Sequence, residues 1–160
     1  MGVGKGTTAR AFSKRYKAFN IDTDDLIESK LNKEVKDIFA NKGEAYFREQ
    51  EQEVADWISS SVKGTLISCG GGFYKVDNLA KLGTVVLLDA SFEWILNRLQ
   101  TAKNSEEKLA KRPLFSREAE ARALYVEREM AYKEVADVLV SVEGKTMKEI
   151  CREIRLKCKA

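Results

Sequence analysis

The chain contains no histidine, one proline and three cysteines, and each scarcity narrows what it can do. Without histidine there is no Ser-His-Asp or Cys-His nucleophile, no histidine-ligated zinc and no imidazole general base. Three cysteines cannot build a disulfide scaffold. Cys151 and Cys158 fall on what reads as one helix, a rise of about 10 Å apart that no disulfide spans. Reduced thiols and a cytoplasmic setting are therefore expected. No apolar run approaches the roughly 18 residues of a membrane span, no signal-peptide pattern is read, and no membrane partner is expected. An excess of one charge is also missing. The balance of 28 Lys+Arg against 25 Asp+Glu leaves +3, too even for a polyanion binder, so no nucleic-acid partner is expected.

What is present is an ordinary soluble globular composition. The 160 residues are 44% hydrophobic and 33% charged, which suits a single domain, 1–160, with a real core. Short strand-like runs lie at 18–21, 65–69, 84–88 and 138–142, and the third is apolar on both faces, as buried parallel strands are. Helix-like segments lie between them. Residues 44–62 align Phe47, Val54, Ile58 and Val62; residues 91–100 align Phe92, Ile95, Leu96 and Leu99; the last segment aligns Met147, Ile150, Cys151, Ile154 and Cys158. Strands alternating with helices predict an α/β fold with a parallel sheet flanked by helices. Polar residues gather where the strands end, at Asp22-Thr23-Asp24, Gly70-Gly71-Gly72 and Asp89. In such sheets ligands bind beyond the carboxyl ends of the strands, so one crevice is expected there.

The first residues, Met1-Gly2-Val3-Gly4-Lys5-Gly6-Thr7-Thr8, precede a helix-like stretch from Ala9 to Tyr16. Gly4-Lys5 ahead of a helix matches the second half of a phosphate-binding loop. Glycines turn backbone N–H groups inward, the helix N-terminus adds partial positive charge, and lysine supplies a point charge for the β/γ-phosphates. Gly6 stands where that loop normally carries the Ser or Thr that ligates Mg²⁺, and Thr7 follows one place later.

Further constellations follow. Read as extended chain, Asp22 and Asp24 put two carboxylates on one side, one for Mg²⁺ through water and one for a substrate hydroxyl; the alternative is a helix N-cap. Arg48 and Glu51, three apart on a helix, read either as a surface ion pair or as a substrate-binding arginine oriented by Glu51. Three glycines directly after a strand suit close approach of a ligand to backbone. Residues 100–116 are charged, weakly periodic and end in Arg112-Pro113-Leu114, as a lid over phosphates would. Arg128 sits on a late helix, and Asp89 is a decoy for a Mg²⁺ carboxylate. Cys69 reads as core filler rather than as a nucleophile.

The order of these motifs resembles the shikimate kinase family over essentially the whole chain. The resemblance implies a P-loop, nucleoside-monophosphate-kinase-like fold with a central five-stranded parallel sheet, a substrate-binding segment near 24–54 and a lid near 100–116. It implies transfer of the ATP γ-phosphoryl group to the 3-hydroxyl of shikimate in aromatic amino-acid biosynthesis, with Mg²⁺ as cofactor. On this likeness Gly2, Gly4, Lys5, Gly6, Thr7 and Arg112 bind ATP, with Lys5 and Arg112 acting in catalysis. Asp22 holds Mg²⁺ through water, with Thr7 a weaker second. Asp24 holds the shikimate hydroxyls and takes the proton. Arg48 and Arg128 clamp the carboxylate, and Gly70, Gly71 and Gly72 form a backbone wall. Shikimate and ATP are the expected partners of a monomer. Another small-molecule kinase of this fold, for gluconate or a nucleotide, and a catalytically impaired shikimate-binding protein remain alternatives. The family's first, central strand is not in this sequence, and about ten apolar residues ending in glycine are expected ahead of Met1. Without them, poor folding or weak ATP binding is expected.

Overall fold

The computed structural model describes residues 2–101 and 117–158. It divides into two compact units: Lys5–Thr84, and Val85 onward together with the first four residues.

The first unit opens with α1 (Lys5–Tyr16), which reaches β1 (Phe19–Asp22) through Lys17 at φ 53°. Asp22 both ends the strand and caps α2 (Thr23–Leu31), its carboxylate accepting the Asp24 N–H at 3.0 Å. Asn32 in the left-handed conformation ends that helix. Next comes α3 (Val35–Ser61), broken at Gly43, where φ 81° and ψ 174° leave the helical range. Past the break, Phe47, Val54, Ala55 and Ile58 bury one stripe in a core with Ile27, Ile38, Phe73 and Val76. β2 (Thr65–Ser68) runs parallel to β1, with Phe19 opposite Thr65 and Asp22 opposite Ser68, so the two carboxyl ends finish in register. Gly70–Gly72, a 3₁₀ turn at Phe73–Lys75 and the short α4 (Leu79–Leu82) complete the unit. Phe73 is fully buried and anchors that turn.

The second unit contains β3 (Val86–Asp89), α5 (Phe92–Gln100), α6 (Glu118–Val135), β4 (Val138–Ser141) and α7 (Met147–Lys157). β3 and β4 pair in parallel, Asp89 opposite Ser141. The Ser91 hydroxyl caps α5, and Thr146 with Glu149 forms a capping box on α7. α5 buries Phe92, Ile95 and Leu99, and α7 buries Ile150, Cys151 and Ile154. The Tyr125 hydroxyl donates to the Ala90 carbonyl at 2.9 Å, and its ring meets Phe92 edge-on, tying α6 to the end of β3.

With the family's central strand outside this sequence, four parallel strands are expected, and four are found among the described residues, as two parallel pairs that no strand joins. Other expectations need adjustment. β3 is half-buried along its length rather than sealed on both faces. Val62 ends α3 as its C-cap, and Cys158 is exposed at the end of α7, because the last turn of a helix frays past the core. The segment 100–116 lies outside the described residues except for Gln100 and Thr101, which end and cap α5. Among the described residues no helix is long and apolar enough to cross a membrane.

Candidate active site

The phosphate-loop expectation has its geometry at the start of the chain. Gly2 (φ 66°) and Gly4 (φ 100°) take torsions that side chains resist, and α1 begins at once with Lys5, Gly6 and Thr7. No acidic residue occupies that first turn, where N–H groups and partial positive charge favour an anion. Arg98 of α5 donates to the Gly2 carbonyl at 3.0 Å. A Cβ at Gly4 would stand 2.8 Å from the same guanidinium, and one at Gly2 would stand 2.9 Å from Ile95.

The carboxyl ends of β1 and β2 meet this helix start. A Cβ at Gly6 would lie 3.8 Å from Asp22 Oδ2 and 3.9 Å from Ser68 Oγ. Asp22 thus uses one oxygen to cap α2 and turns the other toward Gly6 at the start of α1. A single hard carboxylate beside the N–H groups of a helix start suits Mg²⁺, which keeps several waters and takes few protein ligands. Thr7 is exposed on the first turn, whereas it is Thr8 that is buried.

The extended reading of Asp22-Thr23-Asp24 fails beyond Asp22: Thr23 and Asp24 are the first helical residues of α2. Cap and chemistry are therefore not alternatives here. Thr23 is fully buried, and its hydroxyl accepts the Gly70 N–H at 2.8 Å, stitching α2 to the glycine loop. Asp24 Oδ1 is buried without a hydrogen-bond partner among the described residues and occupies the space a Gly70 side chain would need. A buried acceptor left unpaired is costly, and binding sites are where that cost is tolerated. Burial pushes the Asp24 carboxyl up to about 6; the charges of Asp22 and Glu51 push the same way, and Lys5 opposes them.

Arg48 faces the other end of the glycine loop, its guanidinium filling the space beside Gly72. Its contact with Glu51 is not at the surface. Its Nη1 donates to Glu51, which is 1% exposed, while Nε and Nη2 donate to Glu44 at 3.1 and 2.7 Å. Of the two readings of this pair, the surface one fails because the α3 stripe carries Glu51 into the core beside Val54 and Ala55. The Cys69 thiol is pushed up to about 12 by burial, which makes it inert as a nucleophile.

Lys5, Gly6, Thr7, Asp22, Asp24, Arg48, Gly70, Gly71 and Gly72 thus belong to one compact unit. Gly2, Gly4 and Arg128 belong to the other, where Arg128 is half-buried on α6 and pairs with no carboxylate among the described residues. Arg112 lies outside the described residues. Sequence reasoning missed Thr23, Glu44, Ser68 and Arg98. Only Glu44 carried a signal, its i,i+4 spacing to Arg48; the others depend on which elements pack together.

A glycine-lysine loop opening a helix, at the ends of parallel strands, defines the P-loop kinase class. The sequence model of the shikimate kinase family matches residues 1–159. A shikimate kinase from Helicobacter hepaticus is 38% identical over 96% of this chain and 89% of its own. The crystal structure of shikimate kinase from Aquifex aeolicus superposes with a TM-score of 0.76 at 33% identity, over 99% of this chain and 92% of that one. Shikimate kinase from Acinetobacter baumannii, solved in complex with shikimate, gives 0.75 at 27% identity, over 97% and 86%. The chain belongs to the shikimate kinase family.

Proposed function

We propose that this chain transfers the γ-phosphoryl group of ATP to the 3-hydroxyl of shikimate. The observation that carries the reading is the pairing of a buried, unsatisfied carboxylate at Gly70 with a guanidinium at Gly72, at the carboxyl ends of two parallel strands. Hydroxyls suit the first and a carboxylate the second, and shikimate offers both.

The residues divide the work. The N–H groups of the loop and the first turn of α1, with Lys5, hold the phosphates. Arg112 is assigned to the same phosphates by its Arg-Pro-Leu pattern alone. Arg48 holds the substrate carboxylate, and Arg128 is assigned to it by sequence position. The Gly70–Gly72 backbone lies against the ring. Asp24 accepts the 3-hydroxyl proton as that oxygen attacks the γ-phosphorus and the bond to the bridging oxygen breaks, releasing ADP. A carboxyl raised to about 6 is ionised at neutral pH yet basic enough to take a proton as it is released. Asp22, through water, would hold Mg²⁺, which would supply positive charge against that of the phosphates. Positioning and charge neutralisation suffice for this chemistry, so the lack of histidine is no obstacle.

Reduced cysteines fit a cytoplasmic setting, and we read the chain as acting as a monomer on small molecules. A coupled assay of ADP release tests the function. Turnover with shikimate, and little with gluconate or nucleoside monophosphates, is expected. Preference for either of the latter overturns it, and shikimate binding without turnover favours a binding protein instead.

A further inference from the structure

We propose that Glu44 competes with the substrate carboxylate for Arg48, setting the affinity of the site from within the chain. The proposal rests on the reading of Arg48 as the carboxylate-binding residue.

A guanidinium offers five N–H donors along fixed edges, and the edge formed by Nε and one Nη takes a carboxylate as a fork. In Arg48 that edge is occupied: Nε and Nη2 both donate to a single oxygen of Glu44. Nη1 is held by Glu51. The two carboxylates are not equivalent. The Glu51 side chain is 1% exposed and the Glu44 side chain 59%. Releasing Glu51 would strand a buried charge, whereas Glu44 has water to receive it.

Two carboxylates already contact the guanidinium of Arg48. A substrate carboxylate arriving at the fork would be a third anion, and the exposed one is the one that leaves. The backbone favours the same exchange. Glu44 follows directly on Gly43, where α3 is broken and nothing crowds the glycine, so Glu44 starts the downstream helix rather than sitting within it. Phe47, Val54 and Ile58 hold that helix in the core.

Titration of shikimate into the full chain decides the matter. Glu44→Gln and Glu44→Ala are expected to tighten shikimate binding by about two- to fivefold, the worth of breaking an exposed ion pair. The methyl ester of shikimate, which has no charge to compete with, is expected to bind both variants as it binds the parent. Glu49→Gln removes the same charge from a neighbouring exposed position and should change nothing. Equal or weaker shikimate binding by the Glu44 variants overturns the proposal, as does equal tightening by Glu49→Gln or of the ester. Arg48→Lys keeps a positive charge beside Glu51 but loses the fork. If it leaves shikimate affinity intact, or if the parent binds no shikimate, the Arg48 reading itself falls. If it weakens binding while the Glu44 variants fail to tighten it, only the competition falls.

Discussion

The molecule has two glycine-rich loops, and they need glycine for different reasons. At Gly2 and Gly4 the demand comes first from the backbone: φ of 66° and 100° are torsions that a Cβ penalises. At Gly72 the backbone is ordinary, with φ −105°, and any residue could adopt it. There the demand is for room, because Arg48 occupies the space a side chain would take, as Asp24 does beside Gly70. One loop is shaped to aim its own N–H groups; the other is emptied so that side chains from α2 and α3 reach the same place. A glycine count does not separate the two. The torsions and the neighbours do.

The largest effect should come from the side chain that Gly70 makes room for. Asp24→Asn is expected to lower kcat by about 10²- to 10⁴-fold, the usual worth of a positioned general base. The same change should make the protein more stable. Asp24 titrates near 6 in the fold, above its ordinary value of 3.8, so the folded state holds a proton that the unfolded chain has released. Its contribution to stability is therefore full below about pH 3.8 and is lost as pH rises through about 6. At pH 7.5 the asparagine variant should exceed the parent by about 1–3 kcal/mol in denaturant unfolding, with the gap closing toward pH 4. Equal stability at both pH values would mean that Asp24 is not buried as a charge. In the parent, kcat should fall as pH drops below about 6, because the protonated carboxyl cannot take the hydroxyl's proton.

Next in size are paired alanine substitutions that set the two loops against each other. Gly72→Ala displaces the Arg48 guanidinium and should raise KM for shikimate by about 10- to 100-fold, leaving KM for ATP nearly unchanged. Gly4→Ala meets both a forbidding torsion and the Arg98 guanidinium. It should raise KM for ATP by about tenfold, a strain of one to two kcal/mol expressed as affinity, and leave shikimate binding alone. Steady-state kinetics with each substrate varied in turn reads both. A Gly72 variant that harms ATP as much as shikimate would erase the distinction between the loops.

Much of this was legible beforehand. The four strands sit within a residue or two of their expected places, because short apolar runs between turn signals have few other uses. Helix stripes at Phe47, Val54 and Ile58 and at Phe92, Ile95 and Leu99 are buried as the 3.6-residue period requires. What failed depends on geometry that spacing does not carry. The run from Val35 was not read as helix because Gly43 interrupts the pattern. At Asp22-Thr23-Asp24 spacing leaves extended chain and helix N-cap both open, because a residue that ends a strand and caps a helix at once leaves no room for a turn between them. Spacing does not decide whether Glu51 is solvated or buried beside Arg48, because a charged residue on an amphipathic helix is usually exposed. That Thr23 answers Gly70 across the intervening chain is a tertiary fact with no local trace.

The smallest expected effect falls between the two loops, at Gly6, which belongs to neither kind. It has no positive φ, and a Cβ there would meet Arg10 Nη1 at 3.3 Å, Asp22 Oδ2 at 3.8 Å and Ser68 Oγ at 3.9 Å. All three are side-chain ends, and two of these distances are ordinary contacts. Glycine is thus required at position 6 neither by torsion nor by bulk. Gly6→Ser would carry a hydroxyl to the edge of the loop beside Asp22, where a serine or threonine commonly helps hold Mg²⁺ in phosphate loops. The variant should fold with unchanged stability and lower KM for Mg·ATP by about two- to threefold, the scale of one exposed oxygen ligand among waters. A titration of Mg²⁺ at fixed ATP reads it directly. A tenfold loss instead would show that the backbone at Gly6 must stay bare for the phosphates, moving this glycine into the class of Gly70 and Gly72, where space rather than torsion sets the residue.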